Sequence, residues 1–491
     1  MLKLLLIIPI LGCLPLITIR GAADADKASI LKTNSLLKSI ALSTSLLTLF
    51  ISIVIWIQFD SFTSEYQFVE EFNFLTQYHF NIGIDGISLY FVLLTTFITP
   101  ICILSNWTDI TNKLRYFLIA FLLLESLQVA VFVVLDLFLF YIFFESVLIP
   151  LFLIVGIWGA SANRIRAAFL LFLYTLAGSL FMLLAILIIY GNVGSTDFKL
   201  ISLVEISLES QKILWLTFFL SFAVKTPLAP FYIWLFRAHA ESPLAGSIIL
   251  AAVILKLATY GYLRVLIDIL PDATQYFSPL VQTVAIITLV YSSLATIRQI
   301  DTKGYVAYSS IGHMSIVILG LFSNNIQGIE GAILLSIAHG LVSPALFIIV
   351  GGILYSRYHT RIISYYRGMA LTMPVFSILF LCFTLFNAAV PLSLNWAGEF
   401  LSLAGIYQKS PLIGIIGAST IVLSAIYSIW LFNRISYGQF SKHLKMTKDI
   451  SRREFMLLLP LLLSTVLLGI YPNIILDTLH FSITTLLYNI L

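Results

Sequence analysis

Apolar runs of about 20 residues, long enough to cross the hydrocarbon layer of a bilayer as a helix, follow one another along nearly the whole chain. They lie near 2–19, 36–57, 86–106, 114–134, 137–157, 166–190, 212–236, 244–268, 279–298, 304–322, 329–355, 373–403, 411–433 and 455–471. Several meet with barely a turn between them, so about 14 spans are expected, with 13 or 15 open. Backbone groups inside a bilayer must be satisfied within their own segment, so runs of this kind are read as helices. Only 10% of the residues are charged and 60% are hydrophobic, against about 25% charged in soluble domains. The expected class is an all-α integral membrane protein. A lone signal peptide does not account for hydrophobicity that continues to the end of the sequence, although the first run would serve as an uncleaved anchor.

The remaining Lys and Arg residues set the orientation. Numbering the runs 1 to 14, the connections after odd-numbered spans hold twenty of the 27 basic residues, from Arg20 through Arg453. Lys3, Lys199, Lys212, Arg264 and Lys409 fall on the other face, with both termini and the acidic stretch Asp60 to Glu71. The positive-inside rule expects such a bias of a correctly counted topology. The loop from Arg434 to Arg453 is also basic enough to touch anionic lipid.

Seven titratable groups then stand inside spans: Glu125, Glu145, Lys225, Lys256, His313, His339 and Glu399. Each costs about 2.5–3.5 kcal/mol at mid-membrane on insertion scales, so each needs a partner, a cavity or a job. One alone reads as a static pin between helices. A row of acids, amines and imidazoles reads as a relay, because burial disfavours the charged forms and histidine titrates near neutral pH. Cys13, Cys102 and Cys382 each sit alone, without metal or disulfide spacing. No Walker A pattern, GxGxxG turn or iron–sulfur cysteine cluster occurs in the sequence. No redox cofactor, nucleotide, metal or nucleic-acid partner is expected of this chain itself.

Two spans carry prolines beside their charge. Pro227 and Pro230 follow Lys225, and Pro391 precedes Glu399; proline removes a backbone donor and breaks a helix. Broken helices at membrane depth are a mark of transporters. Ser242-Pro-Leu-Ala-Gly246 recurs as Ser410-Pro-Leu-Ile-Gly414, and the same offset carries Glu145 onto His313 and Lys256 onto Ser424. The intervening span number is odd, which implies inverted topology. The expected organisation is N-terminal helices over 1–113 and two inverted five-helix repeats over 114–270 and 278–438, each with a proline-broken helix. A loop and C-terminal helix occupy 439–491.

Phe144-Glu145-Ser-Val-Leu-Ile-Pro150, Lys225-Thr-Pro-Leu-Ala-Pro-Phe231, Ala238-His239-Ala-Glu-Ser-Pro243, Leu255-Lys256, Tyr260-Gly261, Ala307-Tyr-Ser-Ser-Ile-Gly-His-Met314 and Ala338-His-Gly-Leu-Val-Ser343 carry a resemblance. In that order they resemble the antiporter-like membrane-arm subunits of respiratory complex I, NADH:ubiquinone oxidoreductase, and among them the chain 4 family, over roughly 85–440. Tyr232, Phe236, Ala258 and Thr259 depart from the family pattern. The resemblance implies proton translocation coupled to electron transfer from NADH to ubiquinone. Glu145 would pair with Lys225, Lys256 would be the central amine, His313 and His339 the bridge, and Glu399 the terminal acid. NADH, FMN, iron–sulfur clusters and ubiquinone would belong to the wider complex, and neighbouring membrane-arm subunits and lipids would be the partners. The implied location is the mitochondrial inner membrane, multi-pass, with both termini on the intermembrane-space side. A free-standing cation/proton antiporter and a non-pumping scaffold subunit are the competing readings. Cation exchange without partners would single out the first, and silent Lys225 and Lys256 substitutions the second.

Overall fold

A computed structural model describes residues 1–19, 27–75 and 78–488; Arg20 lies outside the described residues. Eleven helices among them are long and apolar enough to cross a membrane. They are spans 2 (Leu31–Gln58), 3 (Gly86–Ser105), 4 (Leu114–Val133), 5 (Leu137–Trp158), 6 (Arg164–Val193), 8 (Leu244–Ile267), 9 (Pro271–Ile297), 10 (Thr302–Leu321), 11 (Ile326–Tyr358), 13 (Pro411–Ser436) and 14 (Arg452–Ile470). The shorter helix Leu2–Thr18 occupies the place of span 1. Spans 7 and 12 are each two helices, Leu208–Lys225 with Ile233–Glu241, and Pro374–Asn387 with Leu394–Lys409. The chain is a multi-pass membrane protein.

Loop contacts sort into two sets, as alternating spans require. On the odd-numbered side, Trp158 Nε1 donates to Asn112 O at 2.9 Å, Thr302 N to Arg361 O at 2.8 Å and Gly368 N to Tyr437 O at 3.1 Å. Arg357 pairs with Glu454 at 2.8 Å on the same side. On the other, Leu135 N donates to Asn81 O at 3.0 Å, Phe198 N to Leu135 O at 3.1 Å, and Asn325 Nδ2 to Gly405 O at 2.7 Å. A buried ion pair between Asp85 and Arg264 ties spans 3 and 8 there.

Two elements depart from the expected all-helical plan. An antiparallel hairpin, β1 (Gln67–Leu75) and β2 (Tyr78–Ile84), fills the acidic connection between spans 2 and 3. A final helix, Asn473–Tyr488, follows span 14, so the C-terminal segment holds two helices instead of one. Among the described residues its polar contacts lie on one face: Tyr90 Oη donates to Ile474 O at 2.6 Å, and His480 meets Glu330 at 2.8 Å. At 16 residues it is below spanning length and lies against that face. Asp85 starts span 3 with a capping box to Ser88, which satisfies two orphaned backbone groups where hairpin becomes helix.

Spans 11 and 12 meet backbone to backbone. A Cβ on Gly331 would stand 2.4 Å from Ser402 N, and one on Gly398 2.6 Å from Leu335 N. Small residues allow this approach where no hydrophobic effect drives helices together. It carries Glu399 into the interior beside span 10.

Candidate functional site

Both broken helices stop on a polar side chain. The first half of span 7 ends at Lys225, and the first half of span 12 ends at Asn387. The prolines free backbone carbonyls at membrane depth, and the chain satisfies them locally. Trp234 Nε1 donates to Val224 O at 2.8 Å, Thr226 N to Phe222 O at 2.8 Å and Leu228 N to Ala223 O at 3.0 Å. Lys225 thus sits at a helix C-terminus, where the carbonyl dipoles favour a cation. Its ammonium donates to Phe144 O at 2.9 Å and lies 3.2 Å from the Phe144 ring centroid.

Lys256 stands in a seven-residue α-helical stretch, Leu255–Gly261, between π-helical turns at Leu250–Ile254 and Tyr262–Ile267. Such wide turns recur at functional sites. Here the first turn aims Ala251 O at the ammonium five residues on, at 2.6 Å. The same ammonium meets His339 Nδ1 at 2.7 Å. An ammonium only donates, so His339 Nδ1 accepts and its proton sits on Nε2, which has no partner among the described side chains.

His313 is 5.8 Å from His339 between ring centroids. Its Nδ1 meets Glu399 Oε1 at 2.8 Å and its Nε2 meets Asn387 Oδ1 at 3.1 Å. The Asn387 amide nitrogen is set on Ser428 Oγ at 3.3 Å, with its oxygen toward the ring. Nε2 therefore donates to Asn387, and one more proton is shared between Nδ1 and the carboxylate. Imidazolium with carboxylate and imidazole with carboxylic acid have the same heavy-atom geometry. Lys256, His339, His313 and Glu399 are all 2% exposed or less.

The other expected residues are placed differently. Glu145 is half-buried, and no ion pair joins it to Lys225 among the described residues; the lysine is turned to the neighbouring carbonyl instead. Glu125 is buried but accepts from Thr48 Oγ1 of span 2, beside the Ser52–Thr96 contact at 2.7 Å. It has no hydrogen bond to the Lys–His–Glu row. Three features escaped the sequence reading. Asn387 polarises His313. Lys303, counted above as a loop charge, is buried at the start of span 10, and Arg264, counted above with the charges of the opposite face, is buried in span 8. Asp301 caps span 10 through Lys303 N and Gly304 N, a signal that already places Lys303 inside the helix.

A family model described as NADH:quinone oxidoreductase/Mrp antiporter, transmembrane, matches residues 134–424. NADH-ubiquinone oxidoreductase chain 4 of Mycosarcoma maydis is 67% identical over 489 residues, 100% of both chains. The Marchantia polymorpha protein of that name is 47% identical over 98% of this chain and 96% of its own. A chain of respiratory complex I from Thermus thermophilus with bound NADH superposes with a TM-score of 0.89 at 26% identity, covering 100% of both. A chain of the Mrp complex from a Dietzia species, at 16% identity and a TM-score of 0.85 over 99% and 98%, shares the fold. With its buried Lys–His–Glu row held between two broken helices, this chain belongs to the chain 4 family of NADH-ubiquinone oxidoreductase.

Proposed function

We propose that the chain is a proton-translocating membrane-arm subunit of a respiratory complex I, coupling NADH-to-ubiquinone electron transfer to proton movement. The observation that carries this reading is the row Lys256–His339–His313–Glu399. It consists of two hydrogen-bonded pairs, at 2.7 Å and 2.8 Å, whose imidazoles face one another. A proton leaving Lys256 Nζ is accepted by His339 Nδ1, which frees the Nε2 proton for His313. His313 receives it on Nδ1, which stands empty once its own proton has passed to Glu399 and the acid has released it into a cavity of about 530 Å³ lined by Trp396, Tyr407 and Ile415. Each transfer breaks one N–H bond and forms one N–H or O–H bond.

Lys225 acts as the switch. Its ammonium on Phe144 O is the arm turned away from Glu145, and rotation onto the carboxylate is the alternative state. Moving one charge across the membrane costs about 2.3 kcal/mol per 100 mV, and the redox centres that supply it belong to other subunits. The chain resides in the mitochondrial inner membrane, its basic loops toward the matrix and its termini toward the intermembrane space; the charge bias of the loops supports that orientation. Adjacent antiporter-like subunits and lipids are its neighbours.

The test is redox-driven proton pumping in vesicles holding the intact assembly with Lys225→Ala, after native electrophoresis shows normal assembly. Loss of pumping together with coupled NADH oxidation is expected. Wild-type levels of both would make the buried charges structural and overturn the mechanism.

A further inference from the structure

The relay makes no use of Glu330, a carboxyl on the acidic face that is only 9% exposed. It lies one turn inside span 11. Among the described residues its hydrogen-bond partner is His480 Nδ1 of the final helix, at 2.8 Å. The His480 side chain is 52% exposed. Water on the acidic face therefore reaches one half of a contact whose other half is buried. Asp477 stands one turn before His480 on the same helix, where residues three apart are neighbours, and acts electrostatically on Glu330 as well. The other elements packed here are uncharged at the contact. Span 3 presents the Tyr90 hydroxyl, which accepts from Thr478 Oγ1 at 3.0 Å. The connection before the hairpin presents the Phe62 ring, 6.1 Å from that of Phe481.

Glu330 precedes Gly331, the residue on which the backbone of Ser402 rests. The turn before it is gripped in the same way from two sides. A Cβ on Gly320 of span 10 would stand 2.7 Å from Gly328 O, and one on Gly405 of span 12 2.6 Å from Gly328 N. The turns of span 11 that flank Glu330 are thus the surface against which the second helix of span 12 is seated. Glu399 lies one turn from Ser402 on that helix. A force on Glu330 is transmitted through backbone contacts to the acid at the end of the relay.

A carboxylate this buried is costly without a partner. Imidazolium supplies one with charge, and charge-assisted hydrogen bonds are about twice as strong as neutral ones. Neutral imidazole has a single N–H for two nitrogens and no charge, so the grip on Glu330 weakens as the ring loses its proton. Histidine makes that change near neutral pH.

We propose that His480 is a positioning residue for Glu399: protonated from the acidic face, it holds Glu330 and the start of span 11 in the seat of the Glu399 helix, so that acidity on that face keeps Glu399 on His313. The assignment rests on the relay reading above.

The experiment uses the intact assembly in vesicles whose lumen faces the acidic side. Outer pH, where NADH is oxidised, is held constant, and the lumen is buffered from about pH 5 to about pH 8, across the ordinary histidine range. Protons translocated per NADH oxidised are compared for wild type, His480→Lys and His480→Leu. The pH gradient acts on all three alike, so each is read relative to the permanently charged His480→Lys. Wild type should match His480→Lys at the acidic end. At the alkaline end it should fall below by roughly two- to fivefold, the size of a partly exposed ion pair's effect on an equilibrium, and meet His480→Leu. A constant ratio of wild type to His480→Lys across the range would make the contact a structural pin and overturn the proposal. Glu399→Gln in parallel separates two failures. Loss of pumping there with that constant ratio sinks the positioning role alone, whereas normal pumping in Glu399→Gln sinks the relay. Should the His480 variants not assemble, Glu330→Gln keeps an acceptor for the imidazole without the charge. Its ratio to wild type should then rise toward one at the alkaline end; a ratio independent of lumen pH would overturn the proposal.

Discussion

Gly331→Ala should disable the relay without touching a titratable group. The new Cβ would lie 2.4 Å from Ser402 N and 2.7 Å from Leu401 Cβ. The first of these is a backbone atom, so rotation of a side chain cannot relieve the overlap. Ordinary contact begins at 3.4 Å, which requires the second helix of span 12 to retreat by about 1 Å, an overpacking that costs roughly 1–3 kcal/mol. Glu399 rides on that helix. Its 2.8 Å contact to His313, stretched by the same amount, leaves hydrogen-bond range. A 1 Å misplacement can lower a reaction by up to roughly 100-fold, so coupled pumping should fall by one to two orders of magnitude while most of the assembly survives. Pumping in vesicles, paired with thermal unfolding of the isolated assembly, measures both effects. Normal pumping at normal stability would refute the claim that this glycine contact positions Glu399.

Three further outcomes follow from the geometry. Asn387→Leu leaves His313 Nε2 without its acceptor and should cost about 1–3 kcal/mol in melting experiments, with pumping reduced; an unchanged melting curve would remove Asn387 from the site. Glu125→Gln keeps an acceptor for Thr48 and should leave pumping within about twofold of wild type, while Glu145→Gln under the same assay should not; equal losses would return Glu125 to the relay. Arg264→Met strands Asp85 and should destabilise the chain by about 3–5 kcal/mol, whereas Arg264→Met with Asp85→Leu should recover most of that loss. A double variant no more stable than the single one would show that the pair is not the source of the loss.

How far the sequence was legible depended on contrast. A lysine or glutamate at the centre of an apolar run cannot be overlooked, so Lys225, Lys256 and Glu399 stood out, as did the prolines that break spans 7 and 12. Residues near span ends have no such contrast. Lys303 and Arg264 could be loop or interior by sequence, and helical phase and the seat of the Lys303 stem on Gly351 decide it. The hairpin was hidden because its alternation, as in Tyr78-His-Phe-Asn-Ile-Gly-Ile84, is short beside the long apolar runs around it. The direction of Lys225 was not legible either. A charge partner is a natural assignment for a buried amine, but the carbonyl of Phe144 lies one residue away on the same turn and does the same job.

The lacing of the loops bears on what kind of machine this can be. A transporter that alternates access by rocking one half against the other must part the contacts between its halves on one face at each stroke. Here Asp85 and Arg264 clasp spans 3 and 8 on one face. On the other, Arg361 reaches back from the connection after span 11 to Ala240 O at the end of span 7 and to Asp301 ahead of span 10. Stranding either charge of the buried Asp85–Arg264 pair would cost about 3–5 kcal/mol, more than the roughly 2.3 kcal/mol of one charge crossing 100 mV. The proposed relay asks for no such parting: ammonium arms, imidazole rings and the one-turn defects of span 8 would move by single ångströms inside a laced frame.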